Sequence, residues 1–291
     1  MVMPLLFALF VSFGFIETSA WRWAMVIPGV ALFIMGILYY KFTQDTPDGN
    51  LAELRKINPS YKLKKKESKK SFLLAIRDYR VWGLFLVYAA CFGVELTINN
   101  IAAIYYKDYF HLDLKTAGII AGLFGLMNLF ARSLGGMFGD RFGIKFGLKG
   151  RVYFLFSILL LEGVTLIIFS QMSILPLAII SMVLFSLCVQ MSEGATFSVV
   201  PFINKKAVGS ISGIVGAGGN AGAVAAGFLF KVEGMGYPQA LFFIGISVII
   251  ISFVALLVKF SEADEKDIKQ EMEASLTASL KTQPAVVPIS K

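Results

Sequence analysis

Residues 80–104 read RVWGLFLVYAACFGVELTINNIAAI, with one basic residue at the start and one acid, Glu95, near the middle. As a helix at ~1.5 Å per residue this run is about 37 Å long, enough to cross the ~30 Å hydrocarbon core of a bilayer. Its polar positions are not scattered. Tyr88, Phe92, Glu95 and Asn99 are separated by steps of four, three and four, which puts all of them on one helical face. A membrane span with one such face belongs in a bundle, with that face turned inward.

Outward from this run, similar apolar stretches occupy about 22–42, 117–138, 152–170, 174–200, 208–230 and 238–260, so seven complete spans are predicted. Met1 to Ile16 is apolar from its first residue but too short to cross, and lacks the basic start and small-residue cleavage site of a signal peptide. It is read as the tail of an eighth helix. Composition agrees: 57% of the 291 residues are hydrophobic and 16% charged, with mean hydropathy +0.73, more apolar surface than one globular core buries. The lipid bilayer must take the rest. The formal charge of +8 sits in short connectors rather than on a soluble face, which argues against nucleic acid as a partner.

Connector charge alternates. Segment 43–79, carrying Lys62, Lys64 to Lys66, Lys69 and Lys70, is basic, as are the turn Asp140 to Arg151 and the pair Lys205 and Lys206. By the positive-inside rule these are cytoplasmic, and the alternate connectors, short and nearly balanced, are external. The expected organisation is therefore the end of an N-terminal transmembrane half at 1–42, a basic cytoplasmic central loop at 43–79, a C-terminal six-helix transmembrane half at 80–260, and a cytoplasmic tail at 261–291. That tail is polar and expected to be disordered beyond a short juxtamembrane helix. An all-α membrane fold with six spans behind a basic central loop is the layout of one half of a major facilitator carrier.

Charges inside spans need a reason, because each costs at least ~2.5 kcal/mol on insertion scales. Arg132, in the third span, offers a planar fork of donors suited to a flat oxyanion; snorkelling toward the headgroups or pairing with a buried glutamate is the structural alternative. Glu95 and Glu193 are the candidate buried acids, and Glu193 is expected to neutralise Arg132 or hold a helix contact. Tyr88 can donate to an anion while Phe92 walls the cavity, although aromatic packing explains the same spacing. Glycines crowd the sixth span, where Gly216, Gly218, Gly219 and Gly222 surround Asn220. Small residues let helices approach closely and also open backbone groups to a small ligand; an amide among them favours the ligand. After Arg132 comes a turn with Gly136, Asp140, Arg141 and Gly143, read as gating or structural: the glycines permit a reversal, and the charges can pair with neighbouring helix ends. Cys91 and Cys188 lie in apolar runs with no metal-ligand spacing, and His111, the one histidine, lies in an external loop. No metal or cofactor is expected.

Taken together, Trp21-Arg22-Trp23, Ile27-Pro28-Gly29, Gln44 to Asn50, Cys91 to Thr97, Phe130-Ala131-Arg132, Glu193 to Phe197 and Gly213 to Gly222 resemble the nitrate/nitrite porter family of the major facilitator superfamily, over about residues 1–262. The resemblance implies two six-helix halves and an anion held between two arginines, one from each half. Arg132 matches the C-terminal arginine, Tyr88 and Phe92 match residues that contact substrate from the first helix of that half, and Gly216 to Gly222 match the glycine-rich wall. The first nitrate signature and its arginine have no counterpart. The chain is therefore expected to be a fragment beginning near the end of the fifth helix, with the missing N-terminal half as its partner. Transport of nitrate or nitrite by alternating access across the plasma (bacterial inner) membrane follows as the expected function. A carrier for another small anion, or a membrane sensor or partner subunit that does not transport, are the alternatives. An enzyme is not expected, since no His-Glu-x-x-His zinc motif occurs and one histidine cannot supply a His-based site.

Overall fold

A computed structural model describes residues 2–46, 49–57, 65–262 and 264–266. Ten α-helices account for nearly all of them: α1 (Val2–Ser12), α2 (Glu17–Phe42), α3 (Leu51–Ile57), α4 (Lys65–Arg77), α5 (Tyr79–Tyr109), α6 (Leu114–Leu126), α7 (Ala131–Ser170), α8 (Leu175–Val199), α9 (Val208–Leu229) and α10 (Tyr237–Ala255). No strand occurs among the described residues. Six helical stretches are long and apolar enough to cross a membrane, and the longest, Leu114–Ser170, combines the third and fourth predicted spans. It reverses at one residue. Gly147 takes φ 71°, ψ −163°, a left-handed conformation that a side chain would strain, and so folds α7 back on itself. The lysine cluster at 62–64 and the tail from 267 onward lie outside the described residues.

Helix starts follow local chemistry. Asp78 caps α5 by accepting from the Arg80 amide at 2.9 Å, and Asp113 caps α6 from the Thr116 amide at 3.0 Å. Within the motif at 44–50, Asp45 accepts from the Leu51 amide at 3.1 Å and so caps α3.

The tightest helix pairs are α7 with α8 and α5 with α9, and glycine makes both possible. A methyl group on Gly135 would overlap the Met191 backbone, and one on Gly194 would overlap the Arg132 carbonyl. On the other pair, Gly218 and Gly222 lie directly on the backbones of Phe85 and Ala89. Lipid gives helices no hydrophobic reason to associate, so close backbone approach is what holds such pairs together. In contrast α2, whose buried residues are Ala20 and Ala24 alone, packs on α1, and α1 reaches the bundle through Pro4 against Gly118 of α6.

Candidate functional site

The predicted third span is broken where its arginine sits. Helix α6 ends at Leu126, a 3-10 turn covers Met127–Leu129, and Phe130 leaves the helical region (φ −133°, ψ −28°) before α7 begins at Ala131. No proline or glycine lies in that gap; side chains of α8 stabilise it instead. The Ser186 hydroxyl and the Gln190 amide both donate to the Phe124 carbonyl, at 2.7 and 3.2 Å, taking the place of the lost intrahelical bond.

Two residues past the break, Arg132 meets two acids. Its Nη2 donates to the Glu95 carboxylate at 3.1 Å and also to that of Glu193, while Asn128 fixes Glu95 from the other side at 3.0 Å. The α7 and α8 backbones touching at Gly194 are what bring Arg132 and Glu193 together. Both acids are enclosed, but the Arg132 side chain is 39% exposed, so one edge of the guanidinium faces open space. Phe92 lies beneath it, 5.7 Å from ring centroid to guanidinium carbon. Phe92 stacks on Tyr88 (5.1 Å, 11°), and Tyr88 meets Phe197 edge-on (5.2 Å, 86°).

Chemically this is a cation held on an aromatic shelf with part of its hydrogen-bonding capacity spare. Arg132 Nε and one Glu193 oxygen are buried and have no hydrogen-bond partner among the described residues, so the spare donors that can meet an anion are those outside this buried side. A flat anion on the open edge of the guanidinium gains charge-assisted hydrogen bonds there. The two carboxylates oppose it, since both spend their charge on the same guanidinium.

Tyr88, Phe92, Glu95, Arg132 and Glu193 thus converge as the sequence pattern suggested, and Glu95 joins Arg132 as well as Glu193. The α9 set divides. Gly219 touches the Phe92 ring and Gly218 and Gly222 pack against α5, whereas Gly216 and Asn220 lie on the other side of α9, with open space beside Gly216 and Asn220 exposed. Gly136 to Gly143, expected as a turn, are helical and precede the reversal at Gly147; Asp140 there pairs with Arg151, which also donates to the Ser198 carbonyl at 3.1 Å and lies 4.6 Å over the Phe202 ring. Gly143 rests against the Arg151 side chain, Gly136 makes only a distant approach to Gly194, and Arg141 sits over Phe138. No group of His, Cys, Asp or Glu side chains suited to a metal ion occurs among the described residues.

Two residues here escaped the sequence reading. Arg151 is the pivot of the turn, buried although it falls at the end of a connector. Glu162 is fully buried, and both its oxygens lack hydrogen-bond partners among the described residues. It was legible by the rule that singled out Glu95, a lone acid between Leu161 and Gly163 in an apolar run.

The model of the family described as the Major Facilitator Superfamily matches residues 1–227. The chain is 43% identical over 230 residues to High affinity nitrate transporter 2.5 of Arabidopsis thaliana, covering 79% of this chain and 45% of that protein. It is 35% identical over 266 residues to High-affinity nitrate transporter 2.3 of rice, covering 90% of this chain and 51% of that protein. Nitrate transporter 2.1 of Chlamydomonas reinhardtii is 37% identical over 224 residues. The chain spans about half the length of the curated relatives it matches.

Proposed function

Since the chain belongs to the Major Facilitator Superfamily, we propose that it forms the C-terminal part of a carrier that moves nitrate or nitrite by alternating access, with Arg132 as this half's anion anchor. The observation that carries this is the position of Arg132. It stands beside a broken helix in the bundle interior, its guanidinium carbon 5.7 Å from the centre of the Phe92 ring and its side chain 39% exposed. Discontinuous membrane helices are a common element of substrate sites in secondary transporters.

The anion sheds water on entering and takes the free edge of Arg132, with Tyr88 and Phe92 forming the wall. Swinging Glu95 or Glu193 off Nη2 releases a further donor, so the two acids set how strongly the site holds its cargo. No bond to the anion is made or broken, so the reading is of a carrier and not an enzyme. The opposing wall, with a second cation, comes from the N-terminal half, and residues 43–79 connect the halves on the cytoplasmic side. Asp140 and Arg151 tie the reversal at Gly147 to the end of α8, where a gate can close; Gly136, Arg141 and Gly143 lie on the helix that leads into it. Gly216 and Asn220 look out from α9 to the opposing half. The C-terminus is cytoplasmic and the carrier sits in the plasma (bacterial inner) membrane. Similarity to nitrate transporters from a flowering plant, rice and a green alga supports the cargo.

The test is isotope-labelled nitrate uptake into vesicles containing the chain together with the N-terminal half of a relative, with nitrite, chloride and formate as competitors. Uptake competed by nitrite alone and lost in Arg132→Lys is expected. Equal competition by chloride and formate would reassign the cargo, and binding without accumulation would point to a sensor or partner subunit.

A further inference from the structure

Two cavities lie one above the other along the seam between α5 and α10. The first, of about 670 Å³, sits where α5 begins and α10 ends, and its wall includes Arg77, Tyr79, Arg80, Asn204 and Lys259. The second, of about 440 Å³, is almost wholly apolar and opens between α5, α9 and α10, with Leu86, Ala90, Ala225 and Val248 in its lining. Tyr79 and Leu86 are seven residues apart on one helix, so the apolar groove starts ~10 Å deeper in the membrane.

The upper cavity carries surplus positive charge. Asp78 and Asp264 also line it, but both engage Arg80, at 2.7 and 3.9 Å, and both accept from backbone amides. Arg77 and Lys259 take part in no ion pair among the described residues. Exposed Lys69 and Lys70 add to the basic character of the adjoining helix α4. Its exposed Phe72, Leu73 and Ile76 suit a helix lying in the membrane surface.

A strip of side chains joins the two cavities. Tyr79, Trp82 and Leu86, at steps of three and four, are 61%, 44% and 44% exposed and descend one face of α5 from the charged cavity into the apolar groove. Tyrosine and tryptophan at the top of such a strip mark headgroup depth. Nine residues separate Tyr79 from Tyr88, about half a turn around the axis at ~3.6 residues per turn, so the strip faces away from Arg132. It points to lipid and not to the anion path.

We propose that this seam is a binding site for an anionic phospholipid of the leaflet on the basic side of the protein. The headgroup phosphate lies between Arg77 and Lys259, and one acyl chain follows Trp82 and Leu86 into the groove. A free phosphate ion would satisfy the cations but has no use for the groove; an uncharged lipid would fill the groove and leave the cations unmatched.

The experiment uses the full chain in vesicles containing phosphatidylglycerol or phosphatidylcholine with a photoactivatable acyl chain, followed by peptide mapping and quantification of the lipid retained after detergent extraction. Cross-links from phosphatidylglycerol are expected at 82–90 and 244–251. Replacing Arg77 and Lys259 together by alanine, surface changes that leave the bundle intact, should lower retention of phosphatidylglycerol relative to phosphatidylcholine about 30-fold. Ala90→Phe, which fills the groove, should remove the cross-links from both lipids. Equal retention of the two lipids, cross-links elsewhere, displacement by millimolar inorganic phosphate, or an unaltered preference in the Arg77/Lys259 variant would each overturn the proposal.

Discussion

Glu193→Gln is expected to tighten nitrate binding. In the unaltered site a nitrate on the open edge of Arg132 would stand across the guanidinium from the Glu193 carboxylate, since both bond the same group. Two hydrogen-bond lengths and the width of the guanidinium set the charges about 8 Å apart, which at an effective dielectric constant of about 20 is a repulsion of about 2 kcal/mol. Glutamine keeps an oxygen to accept from Nη2 while removing the charge, so affinity should rise by up to about 30-fold. Glu193 is enclosed, so salt should screen little of this gain. Arg132→Ala is a poor complement, because it leaves two carboxylates facing each other uncompensated and costs about 3–5 kcal/mol of stability. Arg132→Lys keeps the charge and loses the fork. The assay is nitrate affinity by calorimetry or ligand-induced thermal stabilisation, with helix content checked by circular dichroism. A folded Glu193→Gln protein that binds nitrate no better than the original, or worse, would refute the reasoning that the acid competes with the anion for Arg132.

Three further outcomes follow from the same geometry. Ser186→Ala and Gln190→Leu should each cost little, since either donor can satisfy the Phe124 carbonyl, whereas the double variant should lose about 1–3 kcal/mol; steric-trapping unfolding in bilayers would show additivity if this is wrong. Gly194→Leu should drive α8 off α7 and lower the melting temperature sharply, while Gly216→Ala, with open space beside it, should stabilise the isolated chain by up to about 1 kcal/mol. Arg151→Ala should destabilise more than Asp140→Ala, because the arginine is buried and also holds the Ser198 carbonyl while the aspartate is 60% exposed; equal shifts in thermal unfolding would contradict that.

The fold was legible because lipid forces a simple code, in which runs of apolar residues have to be helices and each charge within them stands out. Arg132, Glu95 and Glu193 were found by that rule alone, and the face shared by Tyr88, Phe92 and Glu95 came from spacing. Glu162 was missed although the same rule points to it; the rest of what stayed hidden was decided by residues distant in sequence. The break at 127–130 has no local cue, since its stabilising donors lie some sixty positions away on α8. The glycines of α9 look alike as a string, yet their roles split according to whether α5 stands opposite, and four-residue spacing does not reveal which side that is. The reversal at Gly147 was expected as a longer turn, because Asp140 and Arg151 read as loop charges until their pairing makes them helical.

The broken helix also bears on how the chain is built at the ribosome. Helix α6 emerges well before α8, and until α8 is in place nothing described here covers the Phe124 carbonyl. During that interval lipid favours an uninterrupted helix, in which the carbonyl keeps its ordinary intrahelical bond. The break, and with it the setting of Arg132, is then made only when Ser186 and Gln190 arrive. The surroundings of Arg132 would be among the last features to mature, and synthesis stalled between α7 and α8 would leave a chain inserted in the membrane whose arginine has yet to find its place.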